Sequence, residues 1–161
     1  MIDLRELFLG LALPGPGHLV DQFKHRLLKE GAKIEEVPGA KYFAVCKHGP
    51  AVVVLAHEST GHGFWGIRRD IVERCLRAEE KSAPGDFTWG AVLLDDSFAR
   101  GFWIHGSHVR ELSDSFSKAN EQYLYHKRIL ENSEGKHGYF IGIHDFLDKG
   151  GFSPEPYRVE V

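Results

Sequence analysis

The most constraining feature of the chain is the stretch Ala51-Val-Val-Val-Leu-Ala-His-Glu-Ser-Thr-Gly-His-Gly-Phe-Trp-Gly66. Ala51 to Leu55 carry no charge and include three valines. The run is too short to cross a membrane and rich in β-branched side chains, so it reads as a central strand buried on both faces. Polar chemistry begins where the apolar run stops, with His57, Glu58, Ser59, Thr60 and His62 crowding the strand's C-terminal end. In α/β proteins ligands usually sit at that end.

The neighbouring segments supply the layers that would cover such a strand. Leu4, Leu7, Phe8 and Leu11 share one helical face over residues 2 to 12, with Asp3 near the N-cap. A second helix, 18 to 30, stripes Leu19, Phe23 and Leu27 and stops at Gly31. Ala32 to Val37 and Lys41 to Cys46 read as strands, and His48-Gly49-Pro50 turns the second of these into the central run. Beyond the polar cluster, Ile67, Ile71, Cys75 and Leu76 give helical periodicity to about residue 80, with Arg69–Glu73 and Asp70–Arg74 at i,i+4 spacing. Trp89 to Leu94 and Gly101 to Ile104 read as a hairpin, and residues 107 to 112 as a short helical piece. Phe116, Ala119, Tyr123 and Leu130 suggest a longer helix. Tyr139 to Ile143 would be a last strand or buried turn, and the tail after Gly150 peripheral.

A chain of 161 residues is expected to form a single domain, 1–161, with its core over about 18–112 and a helical C-terminal extension over 113–161. The net charge of −3 argues against a general electrostatic grip on nucleic acid and leaves room for a local basic patch. Cys46 and Cys75 each lie in an apolar periodic segment, as buried thiols of a reducing compartment would. Asp3, Arg5 and Glu6 interrupt the apolar N-terminal residues, and no apolar run approaches membrane-spanning length. A cytoplasmic protein with no membrane partner is the expectation.

The order helix, three strands, helix, two strands, short helix over about residues 18 to 112 resembles the PD-(D/E)xK nuclease superfamily. The likeness is to small archaeal Holliday-junction resolvases and restriction-endonuclease-like domains in particular. The points of resemblance are Leu27-Leu28-Lys29-Glu30-Gly31 before the first strand, the hairpin Lys41 to Leu55 with Gly49 at its turn, Glu58-Ser59-Thr60 after it, and two closing strands. The resemblance implies an α/β fold with a restriction-endonuclease-like core, a mixed central sheet flanked by helices. It also implies action on nucleic acid, with two acids holding Mg²⁺ and a Lys orienting the attacking water. In this chain the first acid position falls near Lys41 or Tyr42, and the acid-x-Lys triplet falls on Ala56-His57-Glu58. Lys41 thus stands where an acid belongs and Glu58 where a Lys belongs, so the two strands look as if they had exchanged charges.

His57-Glu58-Ser59-Thr60-Gly61-His62 also fits HExxGH, the zinc motif of dipeptidyl-peptidase III-like metallopeptidases, in which both His bind Zn²⁺ and Glu58 would activate water. On a regular helix i and i+5 lie about 140° apart, and here the motif follows a valine-rich strand and reads as a loop. Gly61 to Gly66 could let a backbone approach phosphate, with Arg68 and Arg69 adding charge and Trp65 stacking on a base. Three classes therefore emerge. The first is a nucleic-acid-acting or -binding domain of the nuclease-like fold, either a phosphodiester hydrolase with a rebuilt site or an inactive relic. Lys41, His57 and Glu58 would be its catalytic group, with Ser59, Thr60, Trp65, Arg68 and Arg69 binding nucleic acid. The second is a metal-dependent hydrolase holding Mg²⁺ or Zn²⁺ through His57, Glu58 and His62. The third is a non-catalytic interaction module.

Overall fold

The computed structural model of the chain describes residues 3–15, 17–37, 40–47, 49–59, 63–95, 97–132, 140–142 and 157–160. Its centre is β3 (Val52–Glu58), in which every residue from Val52 to His57 is buried. Burial on both faces is what an uninterrupted apolar run requires. Val53 and Leu55 enter a cluster with Leu4, Phe8, Tyr42 and Ile71, whereas Val52, Val54 and Ala56 enter another with Val20, Phe23 and Leu27. One strand therefore organises two cores by the simple alternation of its side chains.

Before β3 the chain forms α1 (Leu4–Leu7), α2 (His18–Lys29), β1 (Lys33–Glu36) and β2 (Phe43–Cys46). As expected, Asp3 caps α1 by accepting the Arg5 amide, but this helix is a single turn. Gly31 follows α2 in the left-handed region, at φ 92°, where a helix C-terminus favours glycine. β2 pairs antiparallel with β3, Ala44 opposite Val53, so the expected hairpin is present. After β3 come β4 (Phe64–Arg68), α3 (Arg69–Lys81), β5 (Thr88–Asp95) and β6 (Ser97–His105). β3 and β5 are parallel, from Val52 beside Thr88 to Glu58 beside Leu94, and α3 lies in the crossover between them.

β7 (Ser115–Ser117), β8 (Gln122–His126), α4 (Lys127–Asn132), β9 (Phe140–Gly142) and β10 (Tyr157–Glu160) complete the order. The main sheet runs β1-β2-β3-β5-β6-β10-β9, mixed in direction, and a second sheet runs β4-β8-β7. The fold is therefore α/β, a mixed central sheet flanked by helices.

Four expectations change. Ile67 begins no helix: it lies in β4, and Trp65 and Ile67 both point into the core beside Tyr125 and Tyr123 of β8. The long helix expected through Phe116 and Tyr123 is a hairpin, with Glu121 at φ 49° between its strands, so residues 113–126 are not helical. Helix resumes only at Lys127. The tail is not peripheral, since β10 pairs antiparallel with β6 and parallel with β9. Finally, Asp70 pairs with Arg68, and Arg74 donates instead to the Leu7 and Leu9 carbonyls.

No helix among the described residues is long and apolar enough to cross a membrane.

Candidate functional site

β3 continues three residues past Leu55, so His57 and Glu58 are still strand and leave it on opposite faces. They do not converge on one point, and the separation divides the end of the sheet into two chemically different halves.

On the α3 side, His57 Nε2 lies 2.8 Å from the Tyr42 hydroxyl, with the two rings tilted at a centroid distance of 5.4 Å. Tyr42 is completely buried and His57 is 8% exposed. Burial, and secondarily the charge of Lys41, pushes the His57 imidazole down to about 3. Burial pushes the Tyr42 phenol far up, and the charges of Arg68 and Asp70 also reach it. Both groups are neutral at physiological pH. A neutral, enclosed pair of this kind holds β2 to β3 and has little capacity to donate a proton in catalysis.

On the α2 side, Gly17 is the N-cap of α2 and has no side chain to offer. Glu58 Oε1 supplies the missing acceptor, taking the Val20 N–H at 2.9 Å. A Cβ on Gly17 would lie 2.7 Å from Glu58 Cδ and 2.9 Å from Lys41 Cε, so both side chains close over this glycine. Lys41 and Glu58 thus meet at one place. They form no ion pair among the described residues, because the carboxylate is engaged by the helix terminus. A carboxylate there satisfies an orphan amide and complements the helix dipole.

A third group was not legible in the sequence. Ser59 extends β3 by donating its amide to the Leu94 carbonyl at 2.9 Å. Its hydroxyl donates to Asp95 Oδ1 at 3.0 Å, and Lys127 Nζ donates to Asp95 Oδ2 at 2.7 Å. The Asp95 side chain is 7% exposed and that of Lys127 37%. The available signal was that β5, like β3, is an apolar strand ending in an acid. Lys127 carries no such signal, because the helical spacing from Phe116 to Leu130 conceals the strand β8 that places it.

Of the remaining expected residues, Trp65 is fully buried. Its Nε1 donates to the Leu94 carbonyl at 2.9 Å and its ring packs edge-on against Phe102. It is a core residue and cannot stack on a base. Arg68 grips Asp70 with two nitrogens, at 3.0 and 2.7 Å, and donates a third bond to the Ala12 carbonyl. Arg69 pairs with Glu73 at 2.7 Å and sits over the Phe116 ring. Thr60 and His62 lie outside the described residues. Among the described residues no group of three or more His, Cys, Asp or Glu side chains could hold a metal ion.

No protein-family model matches the chain, and no curated protein does either.

Proposed function

We propose that the chain is a nucleic-acid-binding domain of the restriction-endonuclease-like fold, which engages a phosphate backbone at the C-terminal edge of β3 through Lys41, Arg68 and Arg69. The observation that carries this reading is that Lys41 and Glu58, which occupy the two key positions of the resemblance, come together over Gly17. The chain order is α2-β1-β2-β3-β4-α3-β5, with β3 parallel to β5; β4 is an addition to that layout and pairs in the second sheet.

Binding is favoured over cleavage because the groups available for catalysis are already engaged. Glu58 caps α2, and His57 is enclosed with Tyr42. Lys41 makes no ion pair among the described residues, which leaves its ammonium available to a phosphate. Arg68 lies near enough for its charge to reach Tyr42, which neighbours Lys41 in sequence and packs on His57. The two arginines are partly neutralised by Asp70 and Glu73, so affinity should be modest and its salt dependence that of only a few phosphate contacts.

The test is a titration of labelled single- and double-stranded DNA and RNA with the whole chain at rising salt, with and without Mg²⁺. Binding that weakens with salt and no Mg²⁺-dependent cleavage support the reading. Absence of binding at low salt removes it, and Mg²⁺-dependent cleavage would restore the hydrolase in its place.

A further inference from the structure

Asp95 stands at the end of β5, and Ser59 follows the end of its parallel neighbour β3. Two donors of different kinds converge on the two oxygens of one carboxylate: the Ser59 hydroxyl at 3.0 Å and the Lys127 ammonium at 2.7 Å. The backbone just before Asp95 is held as well, since the Leu94 carbonyl accepts both the Ser59 amide and the Trp65 indole. Lys127 is fixed at its own backbone by donating to the Gly63 carbonyl at 2.8 Å, and its side chain covers Gly63, where a Cβ would lie 2.6 Å from Lys127 Cβ. The result is a rigidly placed carboxylate, 7% exposed, held between a hydroxyl and an ammonium whose own side chain is 37% exposed.

We propose that Asp95 is a phosphoryl-acceptor site for a small acyl phosphate. Carboxylates act as nucleophiles toward phosphorus when positioned beside groups that neutralise the transferred charge. An Asp95 carboxylate oxygen attacks the phosphorus of the donor. The new bond is Asp95 Oδ–P, the bond that breaks is P–O to the donor's acyl group, and the donor leaves as its carboxylate with the electron pair. No proton or electron is consumed. Lys127 and Ser59, which now bind the two carboxylate oxygens, turn to the oxygens of the incoming phosphoryl group, where an ammonium and a hydroxyl are the donors required. The site uses none of Lys41, Arg68 and Arg69, so it stands or falls independently of the proposed phosphate-backbone contact.

The experiment is incubation of the whole protein with acetyl phosphate and Mg²⁺, followed by intact-mass measurement. Gain of one phosphoryl group that is lost in hydroxylamine is expected, together with no gain in Asp95→Asn and a slower gain in Ser59→Ala. Because Asp95→Asn strands Lys127 and so bears on folding as well, borohydride reduction of the treated wild-type protein supplies a second reading: homoserine at position 95 in the peptide map. No phosphoryl gain by the wild-type protein, a gain that hydroxylamine leaves in place, or homoserine at a different position would each overturn the proposal.

Discussion

The Glu58 carboxylate accepts the Val20 amide at 2.9 Å and so caps α2 from a strand 38 residues further along the chain. A helix whose own N-cap is Gly17 borrows its cap from the end of β3. Fold and candidate site are joined at this point, because the same carboxylate lies beside Lys41.

Replacing Glu58 by Ala should cost about 1 kcal/mol, the usual effect of losing an N-cap side chain. Glu58→Gln, which keeps an acceptor oxygen, should cost less. Urea unfolding of the two variants makes the comparison, and equal losses would show that the carboxylate is not acting as an acceptor.

Gly17→Ala should remove the same cap by a different route. The new methyl group occupies the space now filled by Glu58 Cδ and Lys41 Cε, both at the ends of flexible side chains, so they move away and the cap is lost. Combined with Glu58→Ala the two effects should not add. Fully additive losses in a double-mutant cycle would place the cost of the methyl elsewhere.

These relationships show how far the sequence could be read. The five residues from Ala51 to Leu55, the hairpin with β2 and the helix over α2 were legible because burial on both faces leaves an unbroken apolar run and a one-sided helix leaves a stripe. β4 was not, since Ile67 fits a period of two with Trp65 and a period of 3.6 with Ile71 equally well, and only pairing with β8 decides. The β7–β8 hairpin imitates a helix for a related reason: its turn depends on Glu121 in a left-handed conformation, without a glycine to mark it. At the site, Lys41 and Glu58 were found as neighbours, but the amide that takes Glu58 belongs to a helix distant in sequence. The Ser59–Asp95–Lys127 group joins three separate segments, and such contacts leave no local pattern.

The Tyr42–His57 pair gives a pH prediction with a definite sign. The His57 imidazole is held at about 3 in the folded protein against 6.5 when exposed, so the unfolded chain binds the additional proton. Its contribution to stability is therefore complete above pH 6.5 and falls progressively as the pH drops from there toward 3. His57→Gln, which does not titrate, should flatten that part of the profile. Identical urea midpoints against pH for the two proteins would mean that His57 is accessible to protons in the folded state.

Lys127→Ala should leave the Asp95 carboxylate buried without its cation and destabilise the fold by up to about 3 kcal/mol, since one partner of the pair is more than a third exposed. Removing both charges, as Asp95→Asn with Lys127→Met, should cost less than Lys127→Ala alone. Thermal unfolding of wild type and the two variants tests this, and a double variant less stable than Lys127→Ala would show that the pair is not coupled.

The binding reading is tested most directly by the salt dependence of nucleic-acid affinity in wild-type and Lys41→Ala protein. The logarithm of affinity should fall linearly with the logarithm of salt concentration in both, with the slope of the variant shallower by about one phosphate contact. An unchanged slope and affinity in Lys41→Ala would contradict the assignment of this edge of the sheet to a phosphate backbone.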